Sequence, residues 1–207
     1  MAGMTASVSA GRRLAERVPA VVMHAELRNF TRLSEVLEPQ RVLELASSFF
    51  SLAAAAVKAQ NGEVFTVQND TLVAAFRNGS PAQSAAQAIA AAQALLGDFG
   101  PMGERWQSDF GLPAALAVGM HLGETLFGMA GPQGGEQYVA FGDTVSLAER
   151  LVHRARAGEI VLSAPLVKAF GPAAAQLGAK ALPPLDLGKR PALPIFGILL
   201  ETRLDFT

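Results

Sequence analysis

Residues 66–76, TVQNDTLVAAF, decide how this chain is read. Two strand-like runs, Glu63 to Val67 and Thr71 to Phe76, are separated by Gln68-Asn69-Asp70, the pattern of a β-hairpin. Tight turns select Asn and Asp because their short side chains bond their own backbone and tolerate unusual dihedrals. From the residues alone Asp70 has two readings, the polar residue a turn requires or a carboxylate presented at a hairpin tip as a metal ligand.

Working outward, Val18 to Met23, VPAVVM, suits a buried strand and leads into HAELRNFTRLSEVLE. Val42, Leu45, Ala46, Phe49, Leu52, Ala53 and Ala56 recur at spacings of three and four, the apolar stripe of a helix ending near Asn61-Gly62. Beyond the hairpin, Ser80-Pro81 opens a second helix with Ala85, Ile89, Ala92, Leu96 and Phe99 along one face. Gly97 and Gly100-Pro101 are expected to stop it. Ala115 to Leu122, ALAVGMHL, is another strand, so the order is strand, helix, hairpin, helix, strand, as in a ferredoxin-like βαββαβ core. After a glycine-rich stretch, GETLFGMAGPQGG, come a strand QYVAF and a helix GDTVSLAERLVHRA with Asp143 as expected N-cap. GEIVLS adds a strand, and the remainder reads as a small hairpin-like appendage turning near Gly188. The fold class is α+β, with additional C-terminal strands.

Composition bounds the function. With 207 residues, 50% of them hydrophobic, and a net charge of −1, the chain describes one compact domain with a real core. Seventeen basic residues against eighteen acidic ones leave no positive field to follow a phosphate backbone, so no nucleic-acid partner is expected. Cysteine is absent, which excludes disulfides and thiolate metal sites. No stretch reaches the roughly 20 uninterrupted apolar residues of a membrane span, and a cytoplasmic domain is expected. Residues 1–17 read as a flexible arm or linker end, 18–200 as the domain and 201–207 as a tail.

Taken together, the motifs resemble the class III nucleotide cyclase catalytic domain, the adenylyl and guanylyl cyclase family. HAELRNFT at 24–31 is similar to the family's F-A-D-I-R-G-F-T, and TVQNDTLVAAF to its K-x-x-G-D-x-x-M-A-x-F. MHLG at 120–123 is similar to I-H-x-G, and YVAFGDTVSLAERL at 138–151 to Y-x-x-x-G-D-x-V-N-x-A-x-R-L. GKRPALPIFGI echoes the closing G-K/R-x-x-P-V strand. Five ordered, correctly spaced matches cover the chain from about Val18 to Leu200.

The resemblance implies a role for each matched position. In the family two acids on neighbouring strands hold two Mg²⁺ or Mn²⁺ ions, which activate the ribose 3′-hydroxyl for attack on the α-phosphate. Asp70 falls on the second acid. Glu26 stands at the first, one methylene longer than the family's Asp, and Leu27 matches a position that lends its backbone carbonyl to a metal. The turn Asn29-Phe30-Thr31 falls where backbone N–H groups cradle the triphosphate. Base-recognition positions hold Thr66 and Val139 in place of the family's polar or charged pair, and apolar shape alone separates bases poorly. Ser146 replaces an Asn that orients the ribose, whereas Arg150, four residues on, is kept for the charge on the phosphates. Metal acids and the Asn/Arg pair come from different subunits, which implies a two-fold homodimer or a heterodimer with another cyclase domain.

Of six expected side chains, Glu26, Thr66, Val139 and Ser146 depart and Asp70 and Arg150 are kept. The expectation is a divergent cyclase homology domain in signal transduction that dimerises, binds ATP or GTP with Mg²⁺ or Mn²⁺, and turns it over weakly or not at all. An active cyclase with relaxed base choice and a nucleotide-free dimerisation module are the alternatives. Each site residue also has a plain reading: Glu26 as an exposed strand-end acid, Arg150 as a surface residue paired with an acid such as Glu159. His121 is expected to pack beside its strand and His153 to face solvent.

Overall fold

The computed structural model describes residues 15–200. The elements are β1 (Ala15–Arg28), α1 (Phe30–Val36), α2 (Pro39–Ala59), β2 (Glu63–Gln68), β3 (Thr71–Phe76), α3 (Pro81–Phe110), β4 (Ala115–Ala130), β5 (Gln137–Phe141), α4 (Asp143–Arg154), β6 (Glu159–Ser163), α5 (Ala164–Phe170), α6 (Ala173–Gln176), β7 (Lys180–Leu187) and β8 (Arg190–Leu199). Eight strands form one sheet in the order β2-β3-β1-β4-β6-β8-β7, with β5 pairing β4. The first four positions of that order, all antiparallel, are the ferredoxin-like core expected from the sequence.

Strand alternation sorts β1 into two faces. Val21, Met23, Ala25 and Leu27 join Phe49, Ala53, Ile89, Leu95 and Phe99 in the main core, under α2 and α3. The alternate residues, Val22, His24, Glu26 and Arg28, lie on the opposite face, where α4 packs through Leu147, Ala148, Leu151 and Val152. That close approach depends on Gly119, where a Cβ would stand 2.1 Å from the Val152 backbone nitrogen and 2.6 Å from the Ala148 oxygen. α2 is long and apolar enough by composition to cross a membrane, but its Leu45, Phe49, Ala53 and Val57 are buried against the sheet and α3.

Several sequence expectations are corrected. α3 does not stop at Gly100-Pro101 but continues to Phe110 and ends at Gly111, whose φ of 68° is the left-handed cap a glycine supplies. Pro101 is exposed, and the turns on either side are held by Phe99 and Trp106, whose rings meet edge to face at 5.6 Å. Core packing outweighs the hydrogen bond that the proline gives up. β4 does not end at Leu122 but runs through the glycine-rich stretch to Ala130, because β1 and β5 pair with it. The N-cap of α4 is Gly142, not Asp143, which occupies the first turn and bonds Arg190 instead. The C-terminal hairpin is no appendage: β8 pairs with β6, so it extends the main sheet. Of the arm expected over 1–17, residues 1–14 lie outside the described residues, as does the 201–207 tail, while Ala15–Arg17 belong to β1.

Candidate functional site

The hairpin turn is now explicit. Asn69 takes the left-handed conformation, with φ 52°, so the strained position of the turn is filled by the residue suited to it. Asp70 follows and is fixed by its backbone, whose carbonyl accepts from the Leu27 N–H at 2.9 Å. Glu26 is paired in register with Thr71, so both acids stand at the same end of two neighbouring strands. Leu27 is buried, pointing into the main core, and its side chain plays no part on the α4 face.

Glu26 is not an exposed strand-end acid: its side chain is 13% exposed and bonded. One carboxylate oxygen accepts from Arg28, and the other lies 3.5 Å from Nε2 of His153. Arg28 also donates to the carbonyls of Val152 at 2.5 Å and Ala155 at 2.8 Å, closing the C-terminal end of α4. The pairing was legible in sequence, since Glu26 and Arg28 are two apart on a strand and share a face. His153 is exposed, as expected, yet it reaches back to Glu26.

Ser146 and Arg150 are both exposed, one helical turn apart on α4. Arg150 does not pair with Glu159; its guanidinium donates to the backbone carbonyl of Asp186 at the end of β7. Glu159 is buried and accepts from the Arg156 backbone N–H at 2.8 Å. At the other end of α4, Asp143 and Arg190 meet at 2.6 Å, and that hydrogen bond holds the Asp143 carboxyl below its usual range. The β7–β8 hairpin therefore meets α4 at two side chains, Asp143 in its first turn and Arg150 further along.

The remaining predicted positions are spread around this centre. Thr66 is exposed on β2 and Val139 is half-buried on β5, facing Gly128 of β4. Asn29 is the left-handed N-cap of α1, at φ 65°, and its side chain donates to the Pro113 carbonyl at 2.9 Å. Phe30 packs against the main core, and Thr31 is exposed. A cavity of about 270 Å³ unites part of the set: Glu26, Thr66 and Asp70 line it, together with His24, Glu149 and His153. Sequence reasoning set His24 aside as a metal partner of His121 and gave it no other role, although it shares the face of Glu26 and Arg28.

Two carboxylates at one sheet end have the donor chemistry of a hard cation. The pair of ions implied by the motifs does not fit the side chains as placed, because Glu26 is already bonded by Arg28 and His153. Among the described residues no three His, Asp or Glu side chains converge to hold a metal.

The adenylate and guanylate cyclase catalytic domain model matches residues 15–176. Adenylate cyclase 1 of Rhizobium meliloti (strain 1021) is 30% identical over 146 residues, 68% of this chain. The match spans 21% of that relative's length. Among solved structures, the adenylyl cyclase CyaB from P. aeruginosa superposes with a TM-score of 0.82 at 19% identity, covering 91% of this chain and 97% of that one. The guanylate cyclase domain of RhGC from Catenaria anguillulae, in complex with GTP, gives 0.75 at 16%, covering 88% and 97%. The chain belongs to the adenylate and guanylate cyclase catalytic domain family.

Proposed function

We propose that this chain is a divergent cyclase homology domain that dimerises, binds a nucleoside triphosphate, ATP or GTP, and turns it over weakly or not at all. The observation that carries this reading is Glu26, whose carboxylate is satisfied inside the protein by Arg28 and His153. Withdrawing it from that pair leaves a guanidinium among the α4 carbonyls without its counter-charge. Ser146 adds to the deficit, since a hydroxyl reaches less far than the amide that the motif implies.

Asp70 and Arg150 support nucleotide binding. Among the described residues the Asp70 carboxylate takes one long contact, 3.3 Å, from the Thr71 hydroxyl, so it is the acid placed to meet a divalent ion carried by the phosphates. Arg150 is exposed and gives up one backbone acceptor to form a bidentate phosphate contact. Dimerisation is supported by Leu126 and Phe141, 44% and 55% exposed, which are register partners on the β4–β5 hairpin and form an apolar pair in search of cover. The partner is a second copy or an intact cyclase domain that supplies the missing groups. Such a module serves signal transduction through binding and dimer geometry, on the cytoplasmic side where nucleotide is abundant.

A second reading, an active cyclase of relaxed base choice, draws on the same Asp70 and Arg150. Calorimetry with ATP and GTP, with and without Mn²⁺, tests the binding claim, and analytical ultracentrifugation tests the dimer. Saturable binding by a dimer is expected; a dimer that binds no nucleotide reduces the chain to an assembly module.

A further inference from the structure

Arg77, directly after β3, carries a charge, yet its side chain is 18% exposed. Its guanidinium lies 4.2 Å from the centroid of the Phe127 ring on β4. It also donates to Glu16 of β1 at 3.3 Å, Glu63 of β2 at 3.1 Å and the Tyr138 hydroxyl of β5 at 3.2 Å. Four strands therefore meet at one planar cation, which forks to several acceptors while stacking on a ring. β5 is the strand that needs this grip. Among the described residues it pairs with β4 alone, over five residues, and the connection between them carries Gly131, Gly134 and Gly135. β4 itself is held by β1 as far as Gly128. A two-stranded ribbon is marginal in water, so the position of β5 depends on what its inner face touches. That face carries Tyr138, stacked on Phe65 at 5.9 Å and bonded to Arg77. By strand alternation Phe141 lies on the opposite face, with its register partner Leu126.

We propose that Arg77 is a positioning residue for self-association: by gripping the inner face of β5 it presents the outer pair, Leu126 and Phe141, to a second copy of the chain. This rests on the dimer reading above. Association must immobilise the groups that form an interface, and a ribbon already held in place has less freedom to lose. Without the guanidinium, β5 keeps its ladder with β4 but loses the bond that ties Tyr138 to the ends of β2 and β3. The two carboxylates are 38% and 31% exposed, so water takes up their charge when the cation is removed, and the fold survives the truncation.

Sedimentation equilibrium on the full chain tests this with Arg77→Met and Tyr138→Phe, each checked for folding by circular dichroism. Wild type is expected to dimerise. Arg77→Met raises the dimer dissociation constant at least about tenfold, the scale of one charge-assisted contact, and Tyr138→Phe raises it about threefold. An ion pair that served stability alone would lower the unfolding midpoint and leave self-association of the folded protein unchanged. Phe141→Ala supplies a second readout. Because Arg77 acts by presenting Phe141, Arg77→Met is expected to add less than about twofold in that background. An unchanged dissociation constant in folded Arg77→Met, or in Tyr138→Phe should Arg77→Met not fold, overturns the inference. So do losses from Arg77→Met and Phe141→Ala that multiply in full. A wild type that stays monomeric at every concentration overturns the proposed homodimer and, with it, this role for Arg77.

Discussion

The backbone N–H of Leu27 donates to the carbonyl of Asp70 at 2.9 Å, which fixes the hairpin tip beside the end of β1 without using either side chain. Asp70→Ala is therefore expected to keep the fold, with stability within about 0.5 kcal/mol of wild type. It should nonetheless abolish any metal-dependent component of nucleotide binding. Calorimetry beside a thermal melt checks both halves, and unchanged metal-dependent affinity removes Asp70 from the site.

Arg28 serves two structures at once, the Glu26 carboxylate and the carbonyls that end α4. Truncating it to Ala takes the guanidinium from the largely buried Glu26 carboxylate and removes one donor from each of the carbonyls of Val152 and Ala155. A loss of about 2 kcal/mol in urea unfolding is expected, reduced from the fully buried case because the pair keeps some solvent. Stability equal to wild type contradicts the view that Glu26 is held by this pair.

Gly119→Ala probes how α4 is seated. An added methyl meets the α4 backbone at 2.1 Å, where no flexible side chain can give way. The expected loss is about 3 kcal/mol in urea unfolding, since the whole helix must move off the sheet. A wild-type unfolding midpoint contradicts the packing described.

These positions also mark how far the sequence could be read. The ferredoxin-like order and the strand ends that carry Glu26 and Asp70 were legible, because alternating and 3.6-residue patterns report directly which face is buried. The passage of α3 through Pro101 was not, because the Phe99 and Trp106 packing that sustains it is tertiary. The same holds for Arg150, whose backbone acceptor at Asp186 is 36 residues away and depends on β8 joining the sheet. The Glu26–Arg28 pair is different, because strand alternation alone places the two side chains on one face.

His121 gives a pH signature. It is 7% exposed, and burial lowers its pKa from 6.5 to about 4, partly opposed by the charge of Asp143. The native state thus binds this proton less readily than the unfolded chain, so the stabilising contribution is complete above pH 6.5 and is lost as pH falls toward 4. The full loss amounts to about 3 kcal/mol, and urea midpoints from pH 7 to 4 should fall less steeply in His121→Asn, while His24, lowered to about 4 chiefly by its own burial, keeps part of the slope. An equal slope in the variant assigns the pH dependence elsewhere.

The central claim, a cyclase fold whose Glu26 is engaged internally, is tested most directly by measuring cyclic nucleotide formation from ATP and GTP in Mn²⁺ and in Mg²⁺. Arg150→Ala and Asp70→Ala serve as controls. Product at or near the level of those variants, in a protein that still binds nucleotide, is the predicted result. Robust turnover that disappears in both variants would contradict it and show that Glu26 leaves Arg28 to serve as a working ligand.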